Sequence, residues 1–132
     1  MSKIENNNLS QLKCVVGTNS WGGSLYGKLL RGESVDESVI KEAFDCARTK
    51  GLAVFDLAQD YGFGQAQKMI GRFGCGDVLI SSKFTPTARY KAGQVKKSFE
   101  KDLADFGRSY VDIYWLHLPN DICENLSEII DL

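Results

Sequence analysis

The chain reads as an α/β protein built on a parallel sheet. Three observations predict this class. Short apolar runs at Ala53-Val54-Phe55, Val78-Leu79-Ile80 and Val111 to Leu116 have strand length, and stretches of helical periodicity separate them. The runs are continuous instead of alternating, as expected for parallel strands covered by helices. Each run also leads into a polar residue: Asp56 closes one, Lys83 follows two serines after the next, and His117 closes the last.

Taken in order, Met1 to Gln11 is polar and rich in asparagine and reads as a flexible leader. Lys13 to Thr18 is a first strand, ended by Gly17 and the loop Asn19-Ser20-Trp21-Gly22-Gly23, and a glycine-rich excursion runs on to Ser34. A helix follows, capped by Ser34 or Asp36, with Glu37 adding first-turn negative charge. Its apolar positions Val39, Ile40, Ala43, Phe44 and Ala47 recur at helical spacing, and Gly51 supplies the stop.

Leu52 to Ala58 is the second strand. A short helix near Gln65 to Phe73 presents Ala66, Met69, Ile70 and Phe73 on one side, and Gly74-Cys75-Gly76 breaks it. Asp77 to Lys83 is the third strand. Ala92 to Phe106 is a helix with Val95, Phe99, Leu103 and Phe106 on one face, ended by Gly107. Tyr110 to His117 is the fourth strand, and Glu124 to Leu132 is a last amphipathic stretch that reaches the final residue without a helix stop.

Composition narrows the function classes. The 132 residues, 43% hydrophobic, suffice for one domain with a modest core. A net charge of −1 with interspersed signs argues against a nucleic-acid or membrane-surface partner. No apolar stretch approaches the ~20 residues that span a bilayer, and no segment resembles a signal peptide. A cytoplasmic protein is the default expectation. The four cysteines form no Cys-x-x-Cys pair and, with a single histidine, no zinc-ligand spacing, so no metal site is expected. They read as reduced thiols, with Cys75, between two glycines, the most exposed.

Parallel strands in sequence order would gather Asp56, Tyr61, Lys83 and His117 at the C-terminal edge of one sheet, where ligands bind in such folds. An acid, a phenol, an amine and an imidazole in one cleft make a proton-transfer site. Each residue also has an ordinary reading. Tyr61 fits a turn with a packed ring, Lys83 a solvated strand end, His117 a satisfied core histidine and Asp56 a loop cap. Their joint placement favours the chemical reading. Gly62-Phe63-Gly64 is not a dinucleotide fingerprint, because position 67 is Gln67 and no strand turns directly into it. Of the two tryptophans, Trp21 in its glycine-rich loop is favoured over Trp115 as the substrate-facing one.

Four segments together resemble the aldo-keto reductase family: Gly17 to Gly22, Phe55 to Gly62, Ile80 to Phe84 and Tyr110 to Pro119, in family order and spacing. The resemblance covers nearly all of the chain from Leu12. It implies a (β/α)8 TIM barrel that binds NADPH, or less often NADH, and reduces aldehydes and ketones to alcohols. By position, Asp56, Tyr61, Lys83 and His117 match the family's catalytic tetrad. Tyr61 would donate a proton, although a free phenol with pKa about 10 is a weak acid near neutrality. Lys83 would favour the phenolate, Asp56 would hold Lys83, and His117 would polarise the small carbonyl substrate. Gly17, Thr18, Asn19 and Asp56 would lie beside the nicotinamide end of the cofactor, and Trp21 and His117 beside the substrate.

Leu57 stands where the family often has threonine, and Ala66-Gln67 where it has Ser-Glu, which puts local packing there in question. A full barrel needs ~250 residues, so residues 12–132 would be the N-terminal half of the oxidoreductase domain, about four β/α units, ending inside the fourth helix. Such a truncated form would lack most cofactor contacts and leave strands one and four as open edges. Three readings follow: a reductase with an impaired cofactor site, a non-catalytic half-barrel that self-associates through its edges, and a barrel enzyme forming a Schiff base on Lys83.

Overall fold

A computed structural model describes residues 14–33, 35–84 and 94–117. Four strands, β1 (Val16–Gly17), β2 (Val54–Asp56), β3 (Leu79–Phe84) and β4 (Ile113–Leu116), form one parallel sheet in the order β1-β2-β3-β4. Helices α1 (Gly23–Arg31) and α2 (Glu37–Thr49) connect β1 to β2, α3 (Ala66–Phe73) connects β2 to β3, and α4 (Gln94–Phe106) precedes β4. This is the arrangement of the first half of a (β/α)8 barrel, with β1 and β4 as the outer strands. The expected leader (1–11) and the last amphipathic stretch (124–132) lie outside the described residues.

Register decides which side chains share a face. Gly17 pairs with Asp56, Asp56 with Ser81, Ser81 with Ile113 and Lys83 with Trp115. With a period of two, Asp56, Ser81, Lys83 and Trp115 all project to one side of the sheet. The intervening residues Phe55 and Ile80 project to the helical side, where both are fully buried.

The core lies between sheet and helices. Phe44 of α2 is buried against Phe55 and Phe73, with ring centroids 4.8 and 5.6 Å away, and Met69 and Ile70 of α3 complete the layer. From α2, Ile40, Phe44 and Ala47 are buried while Val39 and Ala43 face outward, so the apolar stripe is narrower than the sequence pattern implies. The helix ends in a Schellman arrangement. Leu52 N–H donates to Ala47 O and Gly51 N–H to Arg48 O, with Gly51 in the left-handed region that a side chain would disfavour. The end of α4 closes the same way at Gly107. Asp36 precedes α2 with extended backbone and makes no side-chain capping bond to it; Ser34 is outside the described residues.

Four expectations are corrected. The glycine-rich excursion contains α1, in which Tyr26 is buried while Leu25 and Leu29 stay exposed. The strands are shorter than the expected segments 13–18, 52–58, 77–83 and 110–117, although single backbone bonds such as Leu57 N–H to Ser81 O and Asp112 N–H to Ile80 O continue the pairing past their ends. Cys75 is buried: its thiol donates to Phe106 O at 3.4 Å, and burial pushes its pKa up, the state of an inert thiol. Cys14 and Cys46 are the exposed ones among the described cysteines. On α4, the fully buried residues are Val95, Phe106 and, unexpectedly, Asp102.

No helix among the described residues is long and apolar enough to cross a membrane.

Candidate active site

The sheet brings Asp56, Lys83 and Tyr61 into one cluster. Asp56 is the last residue of β2, and Lys83 lies in β3 on the same face, so their side chains meet across the strand pair. Lys83 Nζ donates to Asp56 Oδ2 at 2.7 Å and to Leu57 O at 2.8 Å. The same Nζ stands 4.8 Å from the centroid of the Tyr61 ring, a cation over an aromatic face. The pair is half-sheltered, with side chains 29% (Asp56) and 14% (Lys83) exposed.

Tyr61 is placed by its backbone. After β2 the chain makes a turn in which Tyr61 N–H donates to Ala58 O at 3.2 Å, then a short 3-10 turn at Tyr61–Gly64. Gly62 presses on the Trp21-Gly22 backbone so closely that a Cβ there would overlap the Trp21 carbonyl oxygen. Phe63, also left-handed, is exposed and edge-on to Tyr26, with centroids 4.9 Å apart. His117 follows β4 directly. Its N–H donates to Phe84 O at 3.0 Å, and its ring stands edge-on to Tyr61 with centroids 6.4 Å apart. All four predicted residues therefore gather at the C-terminal end of the sheet.

The residues proposed for the cofactor side lie at the end of β1. Thr18 is buried, and both its Oγ1 (2.8 Å) and its N–H (3.2 Å) donate to Asp56 O, tying the β1 loop to β2. Gly17 is exposed beside Asp56, and a Cβ on it would meet nothing within 4 Å. Asn19 is exposed, and its Oδ1 accepts from Tyr26 O–H at 3.4 Å. Trp21, favoured from sequence as substrate-facing, packs in the core against Phe55 and is 8% exposed. The half-exposed indole beside the cluster belongs to Trp115, whose Nε1–H donates to Ser81 Oγ at 2.9 Å.

Behind the site, on the helical side, lies a polar knot that sequence reasoning missed. The Gln59 amide, two residues before Tyr61, reaches Asp102 Oδ2 at 2.8 Å and Ser98 Oγ at 2.5 Å, both on α4. Tyr114 O–H donates to the same Asp102 oxygen at 2.9 Å. Burial raises the Asp102 pKa, partly offset by the polar groups of Gln59, Gln67 and Tyr114 around it. Burial and then the Asp102 charge push the Tyr114 phenol upward, so it stays the donor. The departure at Gln67 falls here: its buried Nε2 and Asp102 Oδ1 both lack a hydrogen-bond partner of good geometry. The other departure, Leu57, is fully buried in the core. Asp102 was detectable in principle, since it sits on the Val95–Phe106 stripe at core spacing.

Among the described residues, no group of His, Cys, Asp and Glu could hold a metal ion.

Comparison with known proteins bears on the fold and the family. The aldo/keto reductase family profile matches residues 13–131. Aldo-keto reductase YhdN of Bacillus subtilis (strain 168) is 25% identical over 81% of this chain and 35% of its own length. The uncharacterized oxidoreductase Rv2298 of Mycobacterium tuberculosis is 25% identical over 81% of this chain and 33% of its own. This chain thus spans about a third of the curated relatives it matches. Among solved structures, the thermostable aldo-keto reductase Tm1743, in complex with the inhibitor epalrestat, superposes with a TM-score of 0.70 at 25% identity, covering 89% of this chain and 43% of that one. An aldo-keto reductase from Klebsiella pneumoniae in complex with NADPH gives a TM-score of 0.63 at 26% identity, covering 82% and 36%. With the family profile spanning nearly all of the sequence, the chain belongs to the aldo/keto reductase family of oxidoreductases.

Proposed function

We propose that this chain carries the proton-transfer half of an NAD(P)H-dependent reductase acting on aldehyde or ketone carbonyls. The observation that carries the reading is the position of Lys83 Nζ, bound to Asp56 and seated over the Tyr61 ring. Tyr61 donates its phenolic proton to the carbonyl oxygen as negative charge develops there. His117, whose ring faces Tyr61, hydrogen-bonds the same oxygen and polarises the carbonyl. The Lys83 cation stands against the ring on which negative charge appears as the proton leaves, and Asp56 and Leu57 O hold that cation in place.

A nicotinamide cofactor, NADPH or less often NADH, supplies the hydride when bound. Gly17 leaves open space beside Asp56, and Gly17, Thr18, Asn19 and Asp56 would hold that end of the cofactor. Weak cofactor binding by the 132 residues alone is part of this proposal, because their four strands supply one side of an eight-stranded barrel's cleft.

The test is NADPH binding to the purified chain by fluorescence, followed by turnover of a simple aldehyde with Tyr61→Phe as control. Binding with Tyr61-dependent turnover supports the reading. Turnover that survives Tyr61→Phe would refute the assigned proton donor. A second reading, self-association of a non-catalytic half-barrel, draws support from the outer strands β1 and β4 and from the exposed Val15 and Trp115 beside them. A concentration-dependent oligomer without cofactor binding would favour it. The Schiff-base reading loses ground, because Lys83 is engaged by a carboxylate and a carbonyl as a cation would be, which does not suit a nucleophilic amine.

A further inference from the structure

The Asp56 carboxylate is held at both oxygens. Lys83 binds Oδ2, and on the other side Ser81 Oγ lies 3.3 Å from Oδ1. Ser81 is buried on β3, one pleat below Lys83, and its hydroxyl has a single proton to give. The direction in which that proton points is set by the next strand. Trp115 of β4 stands opposite Lys83 and brings its indole N–H to 2.9 Å from Ser81 Oγ. An indole N–H can only donate. It therefore occupies an acceptor lone pair of the serine and leaves the hydroxyl proton for Asp56.

The result is a one-way chain of hydrogen bonds across three adjacent strands, Trp115 to Ser81 to Asp56, that ends on the carboxylate anchoring Lys83. Trp115 is 53% exposed. Water could have satisfied its N–H without this contact. A carboxylate held only by Lys83 would keep torsional freedom, whereas one fixed at both oxygens cannot swing without breaking a charge-assisted bond.

We infer that Ser81 and Trp115 are positioning residues for the Asp56–Lys83 pair, acting through Asp56 to keep the lysine cation over Tyr61. The inference rests on the proposed role of the four site residues, but the hydrogen-bond chain can be tested without it.

The chain has two tryptophans, so its 15N spectrum carries two indole N–H resonances, and Trp115→Phe identifies which is which. Asp56→Asn is expected to move the Trp115 indole resonance and leave that of Trp21 in place. In a Ser81→Ala background, the same Asp56→Asn change is expected to move nothing. An unmoved Trp115 resonance, or an equal shift with and without the Ser81 hydroxyl, overturns the chain of contacts.

Aldehyde turnover with NADPH supplies the second arm. Ser81→Ala is expected to lower kcat about tenfold, the equivalent of one hydrogen bond to a charged group, with KM for the aldehyde unchanged. Trp115→Phe should lower kcat less, and Ser81→Thr, which keeps a hydroxyl, should restore it. Full activity in both Ser81→Ala and Trp115→Phe overturns the positioning role. If the unaltered chain shows no turnover, the reductase reading and the positioning role fall together, and the resonance cycle still decides whether the hydrogen-bond chain exists.

Discussion

Replacing Asp102 by asparagine is expected to stabilise the folded chain at neutral pH, although it removes a charge that accepts two hydrogen bonds. The carboxylate is 1% exposed, and its Oδ2 receives Gln59 at 2.8 Å and Tyr114 at 2.9 Å. An amide oxygen in the same place keeps both bonds. Each falls from a charge-assisted to a neutral bond, a loss of about 1 kcal/mol apiece. One term opposes that loss. No cation pairs with this carboxylate among the described residues, and an ion withdrawn from water costs several kcal/mol. The unpartnered Oδ1 changes nothing in the balance, because an amide nitrogen in its place is left equally unpartnered. The net gain from Asp102→Asn is about 1–2 kcal/mol at pH 7.

The gain depends on pH in a definite direction. Burial raises the Asp102 pKa above its ordinary 3.8, so between that value and the raised one the folded state binds more protons than the unfolded state. The contribution of this group to stability therefore falls as pH rises through the window and recovers as pH falls. The advantage of the asparagine variant should shrink in step as acid protonates the native carboxyl. Urea denaturation of both proteins at pH 7 and pH 5 measures this. A variant less stable by about 1 kcal/mol or more at pH 7, with a gap that does not respond to pH, would refute the reasoning and make the carboxylate a net stabiliser.

Two further outcomes follow from the site. A double-mutant cycle of Asp56→Asn and Lys83→Met should give a coupling of about 1–3 kcal/mol, between the values for exposed and buried pairs, because these side chains are 29% and 14% exposed; denaturant titration checks it, and a coupling near zero contradicts the sheltered geometry. Gly62→Ala should cost about 1–3 kcal/mol, since the added methyl meets the Trp21 carbonyl and the backbone is left-handed; thermal denaturation reads the loss, and an unchanged midpoint contradicts the close approach.

What the sequence made legible follows from period and order. Apolar runs broken by helical periodicity were enough to set four strands in parallel, and the polar residue at each run's end marked the site edge. Parity could have gone further: Trp115 is two residues from His117 and so shares its face, which separates it from Trp21. The helix at Gly23–Arg31 was hidden by its glycines, which favour a loop reading whenever tertiary packing is out of sight. Cys75 was misjudged for a related reason. Flanking glycines suggest an exposed turn, yet the thiol is drawn under α4 by its contact with Phe106. Asp102 was passed over because a charged residue on an apolar stripe looks like an interruption. Only the partners brought in from the β2 loop and from β4 make its burial intelligible.

The strand order has a consequence for how the site comes into being. Each strand pairs with the one that precedes it in the chain, so the sheet can grow by accretion from the N-terminal side, without waiting for a distant segment to close over it. Asp56 and Lys83 are only 27 residues apart and meet as soon as the third strand zips onto the second. The imidazole arrives last, with the fourth strand. Synthesis proceeds from the same end, so both members of the electrostatic pair emerge before the group that would face them, an order that the strand sequence itself carries.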